Sequence, residues 1–319
     1  MTDQNRPEQR APERSTSERS MPEHLRQLYA SARETLRPML PKRLRGDIPI
    51  VPVVRLSGVI GLSTPLRPGV TLASIARPLE RAFGMRRARA VALLINSPGG
   101  SPVQSHLIYR RIRQLAAEKS VPVIAFAEDV AASGGYMIAC AADEIVCDAS
   151  SILGSIGVVG GSFGFTKLME KIGVERRLYT AGEHKAMLDP FLPEKQEDVD
   201  RLKSVQHDIH ADFIALVKER RGARLTGPEN DLFSGEFWTG RKAIELGMAD
   251  SIGDLRSTLR QRFGDDVVTP LVSPARGWFG RVQPGVGSLR FGDWFERPDF
   301  AGDIISALEA RALWARYGL

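Results

Sequence analysis

The sequence predicts an α/β fold, and three observations predict it. Short runs rich in β-branched and apolar residues end in Gly-, Pro- or Ser-containing turns. Between them, apolar residues recur at helical spacing. The alternation of the two patterns calls for crossover connections, and 43% hydrophobic content in 319 residues supplies one core of roughly 200–250 residues plus extensions.

Residues 1–20 are polar and rich in Arg, Glu, Pro and Ser, a composition that cannot bury a core and predicts disorder. Ser20 and Glu23 then have capping-box spacing, and Leu25, Leu28, Tyr29, Ala32, Leu36 and Leu40 follow at helical intervals. Arg26, Arg33 and Arg37 lie on the other face, so this helix either docks on protein or lies on a membrane surface. From 48 to 273 a single folded domain is expected. Its strands fall at 48–56, 88–95, 121–126, 144–147, 155–159 and 176–179. Its helices fall at 72–83, 104–117, 134–142, 165–171 and about 193–221, the last with Val199, Leu202, Val205, Ile209, Phe213 and Leu216 on one side. Residues 274–319 form an extension carrying Trp278, Phe279, Trp294 and Phe295, with a final helix at about 304–317. It is too apolar for a solvated linker and is expected to pack on the domain or on a neighbouring subunit.

Composition excludes several function classes. The formal charge of +6 and pI near 9.5 suggest nucleic acid at first. The basic residues are scattered, however, with short runs at Arg86-Arg87, Arg110-Arg111, Arg176-Arg177 and 218–221, and no aromatics interleave them. No nucleic-acid partner is therefore expected. Cys140 and Cys147 make neither a disulfide framework nor a zinc spacing and read as buried small hydrophobes in a reducing compartment. The five histidines show no ligand spacing, so no metal is expected. No run approaches the ~18 apolar residues of a membrane span, and the first residues lack a signal-peptide core. The expected location is cytoplasmic, with peripheral contact at an inner membrane through the amphipathic helix.

Three segments carry chemistry. Asn96-Ser97-Pro98-Gly99-Gly100-Ser101 follows a strand and exposes backbone N–H groups, although alone it reads equally as an ordinary strand-to-helix turn. Asp129-Val130-Ala131-Ala132-Ser133-Gly134-Gly135-Tyr136 places a serine among small residues at a helix start, where it is either a reactive hydroxyl or a simple N-cap. Thr180-Ala181-Gly182-Glu183-His184-Lys185 ends in a lysine, and a lysine serves as a general base only when desolvation favours its neutral form.

Together these segments resemble the signal peptide peptidase A (protease IV) family of bacterial serine peptidases. The resemblance runs from about Ile50 to Leu255. It includes Asn-Ser-Pro-Gly-Gly, Ala132-Ser133-Gly134-Gly135-Tyr136, Gly154-Ser155-Ile156-Gly157-Val158 and the Ala-Gly-x-x-Lys ending at Lys185. Phe233-Ser234-Gly235 and the run from Ala243 through Gly247-Met248-Ala249-Asp250 to Gly253 also fit. The family implies a ClpP/crotonase-like fold of repeated ββα units and a Ser/Lys dyad, with Ser133 as nucleophile and Lys185 as general base. Gly100 and Gly134 are its candidate oxyanion-hole donors, and Ser155 is a candidate hydroxyl near Lys185. The family further implies ring- or dome-shaped homo-oligomers, a lysine able to reach a neighbour's serine, no cofactor or metal, and small hydrophobic peptides such as remnant signal peptides as substrates. Members typically carry an N-terminal transmembrane anchor; this chain has a charged tail and an amphipathic helix there instead. Two other readings keep the fold. One is a crotonase-type acyl-CoA enzyme with Glu128 or Asp129 as base, and the other is a non-catalytic membrane-associated scaffold.

Overall fold

The computed structural model describes residues 48–61, 69–273, 308 and 311–318. The predicted tail and amphipathic helix before residue 48, and the aromatic stretch around Trp278 and Trp294, lie outside the described residues.

The unit from Pro49 onward is built on a mixed sheet. Parallel strands β1 (Val53–Ser57), β2 (Val91–Ser97), β3 (Val123–Ala132), β4 (Glu144–Cys147) and β7 (Ser251–Ile252) lie side by side in that order. A short branch leaves the far end of β3, where β5 (Ile152–Gly154) pairs parallel with it and β6 (Phe237–Thr239) pairs antiparallel with β5. The α/β class is thus observed. The central strands read as apolar runs because both faces are covered. Leu93, Ile95, Val123 and Ala125 face the cluster under the helices, and Ala92, Ile124 and Phe126 face a second one with Val51 and Leu259.

The connecting helices start where local chemistry directs. In α1 (Leu72–Phe83), Thr71 and Ser74 exchange side-chain-to-backbone hydrogen bonds in a capping box. In α2 (Pro102–Lys119), the Ser101 hydroxyl caps the first turn and Pro102 occupies a position where no N–H is needed. Six buried residues make up α3 (Gly134–Ala139), directly after β3. Next come α4 (Thr166–Ile172), α5 (Gln196–Arg221), α6 (Glu229–Leu232), α7 (Gly240–Glu245) and α8 (Leu255–Phe263).

Two strand expectations are corrected. The strand expected at 155–159 is instead β5, ending at Gly154, because Ser155 has φ +52° and turns the chain out of the ladder. Residues 176–179 form no strand, since that exposed stretch meets no neighbouring strand to pair with. The stripe expected on the long helix is buried only at its C-terminal end, through Phe213, Leu216 and Val217, and Val205 stays 51% exposed.

The basic run 218–221 turns inward. Arg220 donates to the carbonyls of Cys140 and Ala142 at the end of α3. Arg221, 1% exposed at its side chain, donates to the Gly247 carbonyl and pairs with Asp250 at 2.7 Å, while Asp250 also accepts from the Ile145 N–H. One ion pair thereby joins α5, β4 and the segment entering β7. Removing one partner of a buried pair strands the other without compensation. Arg221→Ala is expected to lower unfolding stability by about 3–5 kcal/mol, measured by urea denaturation, whereas truncating the exposed Lys242 of the Lys242–Glu245 pair should cost under about 1 kcal/mol.

Candidate functional site

At the end of β3 the chain reverses sharply into α3, and Ser133 is the reversing residue. Its φ of +52° and ψ of −123° lie in a region that non-glycine residues occupy only when their surroundings enforce it. Two backbone bonds hold it: Ser133 N–H donates to the Gly154 carbonyl at 2.7 Å, and its own carbonyl accepts from Met137 N–H at 3.0 Å. The hydroxyl caps nothing, so the simple N-cap role does not apply. The helix behind the serine is anchored by Tyr136, which donates to the Met248 carbonyl at 2.9 Å. Burial pushes the Tyr136 phenol well above its ordinary range and the adjacent Cys140 thiol up to about 12.

The Pro-Gly-Gly loop lies directly against this elbow. Strands β2 and β3 lose register between Ile95 and Ser97, and beyond the break Ser97 stands opposite Ala131. The Asn96 side chain fills the break, donating to Asp129 at 2.6 Å and accepting from Val130 N–H at 3.3 Å. Gly99, at φ +102°, then packs so closely that a Cβ there would lie 2.7 Å from the Ser133 Cβ and 2.9 Å from the Gly134 nitrogen. A Cβ on Gly100 would overlap the Ile60 carbonyl. Ile60 brackets this glycine, donating to the Gly99 carbonyl and accepting from Ser101 N–H. The amides of Gly100 and Gly134 themselves donate to no other described residue. That leaves two backbone donors and a free hydroxyl around one serine.

Of the remaining candidates, Ser155 is 5% exposed and its N–H donates to the Glu236 carbonyl at 2.6 Å. Lys185 ends a turn closed by its own N–H to the Gly182 carbonyl; its side chain is exposed and bonds to no described residue, Ser133 included. It belongs to a long stretch, 157–212, in which no residue is buried. Within that stretch Phe165 stacks on Phe191, the Arg176 guanidinium lies over Phe191, and Phe163 and Tyr179 stay 80% and 90% exposed. The Phe191 N–H, with Arg176, holds the Asp189 carboxyl below its ordinary range.

The carboxylates that an acyl-CoA chemistry would require are engaged elsewhere: Glu128 accepts from Arg55 and Asp129 from Asn96. Among the described residues, no group of three or more His, Cys, Asp or Glu is placed to hold a metal ion. Sequence reasoning missed the Asn96–Asp129 clamp, although both residues sit in the segments it singled out. It also missed Tyr317, which packs on Val130 and Ala132 just ahead of the serine; nothing local in the sequence signals so distant a contact.

Residues 115–263 match peptidase family S49. A chloroplastic serine protease SPPA of Arabidopsis thaliana is 32% identical over 221 residues, 66% of this chain and 32% of that one. Protease 4 of Haemophilus influenzae is 32% identical over 189 residues, 59% of this chain and 30% of its own. A Brucella abortus protein named Na(+)/H(+) antiporter NhaA is 56% identical over 289 residues, 89% of this chain but 39% of that protein. The chain thus spans well under half the length of these relatives. No helix among its described residues is long and apolar enough to cross a membrane.

Three outcomes test the geometry. Gly99→Ala, which forces a side chain at positive φ into Ser133, should destabilise the fold by about 1–3 kcal/mol, read from denaturant unfolding. Cys140 and Cys147, with thiols pushed up to about 12 and about 11 by burial, should resist iodoacetamide at pH 8 until urea is added. Because the folded thiols hold their protons longer than unfolded ones, stability should fall as pH climbs from about 9 toward 12.

Proposed function

We propose that this chain belongs to peptidase family S49 and is a serine endopeptidase whose domain, residues 48–273, has the ClpP/crotonase-like architecture and works with a Ser133/Lys185 dyad. The observation that carries this reading is the Ser133 elbow: a serine at positive φ, its hydroxyl uncommitted, with two unpaired glycine amides beside it. The roles follow from the chemistry. Lys185, as a neutral amine, takes the proton from Ser133 Oγ while Oγ bonds to the substrate's carbonyl carbon. The Gly100 and Gly134 N–H groups receive the oxyanion, a contribution of order 10²–10³ in rate per donor. The C–N bond then breaks, the lysine's proton passes to the leaving amine, and Ser133 holds the acyl group as an ester. Water, giving its proton to Lys185, releases the acid and restores the hydroxyl. Ser155 is the hydroxyl we assign beside the lysine.

A lysine acts as a base only where water is excluded. Lys185 is exposed among the described residues, on a stretch without one buried residue, so its cover has to come from outside them. We assign the cover to a second copy, in a ring or dome where Lys185 serves a neighbour's Ser133. Exposed apolar side chains such as Phe163, Ile172 and Tyr179 on the same stretch suit burial between subunits. The substrate class is small, extended, hydrophobic peptides such as signal-peptide remnants. A peripheral membrane contact through residues 1–47 is the location we assign, on the amphipathic pattern of residues 25–40.

The test is cleavage of fluorogenic hydrophobic peptides by wild type, Ser133→Ala and Lys185→Ala, with size-exclusion chromatography of each. Both variants should keep the assembly and lose about 10⁴-fold or more in activity. Mixing and reassembling the two inactive variants should restore roughly a quarter of wild-type activity, as random pairing across a shared interface requires. Equal cleavage by all three proteins would remove the dyad, and no recovery on mixing would place serine and lysine in one chain.

A further inference from the structure

We infer that the Trp314–Tyr317 turn is the backing that holds Ser133 in its reactive conformation, with Tyr317 as the positioning residue; this rests on the peptidase reading above. Tyr317, 8% exposed, shares one buried cluster with Val130 and Ala132 of β3, and Ile152 of β5 and Trp314 pack against it. Ala132 is the residue immediately before the serine. The Tyr317 ring also meets Phe237 of β6 edge-on, with centroids 5.0 Å apart and planes at 70°. Phe237 pairs with Gly154, and Gly154 supplies the carbonyl that accepts the Ser133 N–H. One side chain therefore braces both sides of the hydrogen bond that fixes the elbow: the strand bearing the donor directly, and the strand bearing the acceptor through β6.

Such bracing matters because the elbow is strained. A serine at φ +52° relaxes toward ordinary backbone angles unless its surroundings prevent it. A loosened elbow would move the hydroxyl away from the two glycine amides. The Tyr317 hydroxyl is the buried side-chain polar atom without a hydrogen-bond partner among the described residues. Its burial brings no bond, so the ring carries the function and the hydroxyl does not.

The experiment compares Tyr317→Ala, Tyr317→Leu and Tyr317→Phe in the full chain. Peptide cleavage gives kcat and KM, hydrogen exchange reports the amides of 132–134, and thermal unfolding and size-exclusion report fold and assembly. Tyr317→Ala should lower kcat by roughly ten- to a hundred-fold with KM within about twofold, and should speed exchange at 132–134 while the assembly persists. Tyr317→Phe should match wild type in both. If the alanine variant does not fold, Tyr317→Leu, which keeps apolar volume but not the ring, should show the same split. Unchanged kcat and exchange in the folded alanine or leucine variant would overturn the inference. So would a rise in kcat, which would make the segment an obstruction, or a fall in Tyr317→Phe equal to that in alanine. If wild type cleaves nothing yet exchange quickens in the variants, the peptidase reading fails and the bracing stands; if exchange does not quicken, the bracing fails whatever the activity.

Discussion

Everything at the site depends on how closely two backbones approach at the ends of β2 and β3. Parallel strands in register would hold the Pro-Gly-Gly loop a strand's spacing from the elbow, with side chains between them. The register break, filled by Asn96 bonding across to Asp129 and Val130, lets the loop lean over the neighbouring strand. The absence of a side chain at Gly99 then allows its Cα to settle against Ser133. A positive φ at the serine is the complementary half of the same arrangement. Strain at one residue and openness at the other are two expressions of one close contact, and the free amides of Gly100 and Gly134 follow from it.

Much of this was legible because the signals were local. The first helix, α1, begins and ends where apolar spacing places it, whereas α2 starts two residues earlier than that spacing indicates, at the Ser101 cap. The elbow was legible because small residues crowd around Ser133 in both segments that meet there. Pieces fixed by distant partners were not. Strands β6 and β7 run only three and two residues, too short for any periodicity to register. Residues 176–179 have the look of a strand but no partner strand among the described residues. Tyr317 finds Val130 only through the complete fold, and the basic run at 218–221 conceals the inward turn of Arg220 and Arg221.

Lys185 shows the limit of reading one chain at a time. Its neighbourhood has local order, with the Phe165–Phe191 stack and the Arg176–Asp189 pair, but no buried residue. Local contacts give that stretch a shape, and burial would give it a dielectric in which an amine can stay neutral. The elbow is held by its own sheet and the turn packed on it, whereas the stretch bearing the lysine has a surface suited to being covered.

The packing of Tyr317 on Val130 and Ala132 also orders events in time. The ribosome makes β3 long before it makes the residues that cover it, and at ordinary elongation rates the gap is on the order of ten seconds or more. During that interval the strand end presents Val130, Ala132 and Ile152 as an uncovered apolar edge next to the serine. A nascent chain in that state offers a handle to chaperones and a hazard to its neighbours on the same message, until late synthesis closes it.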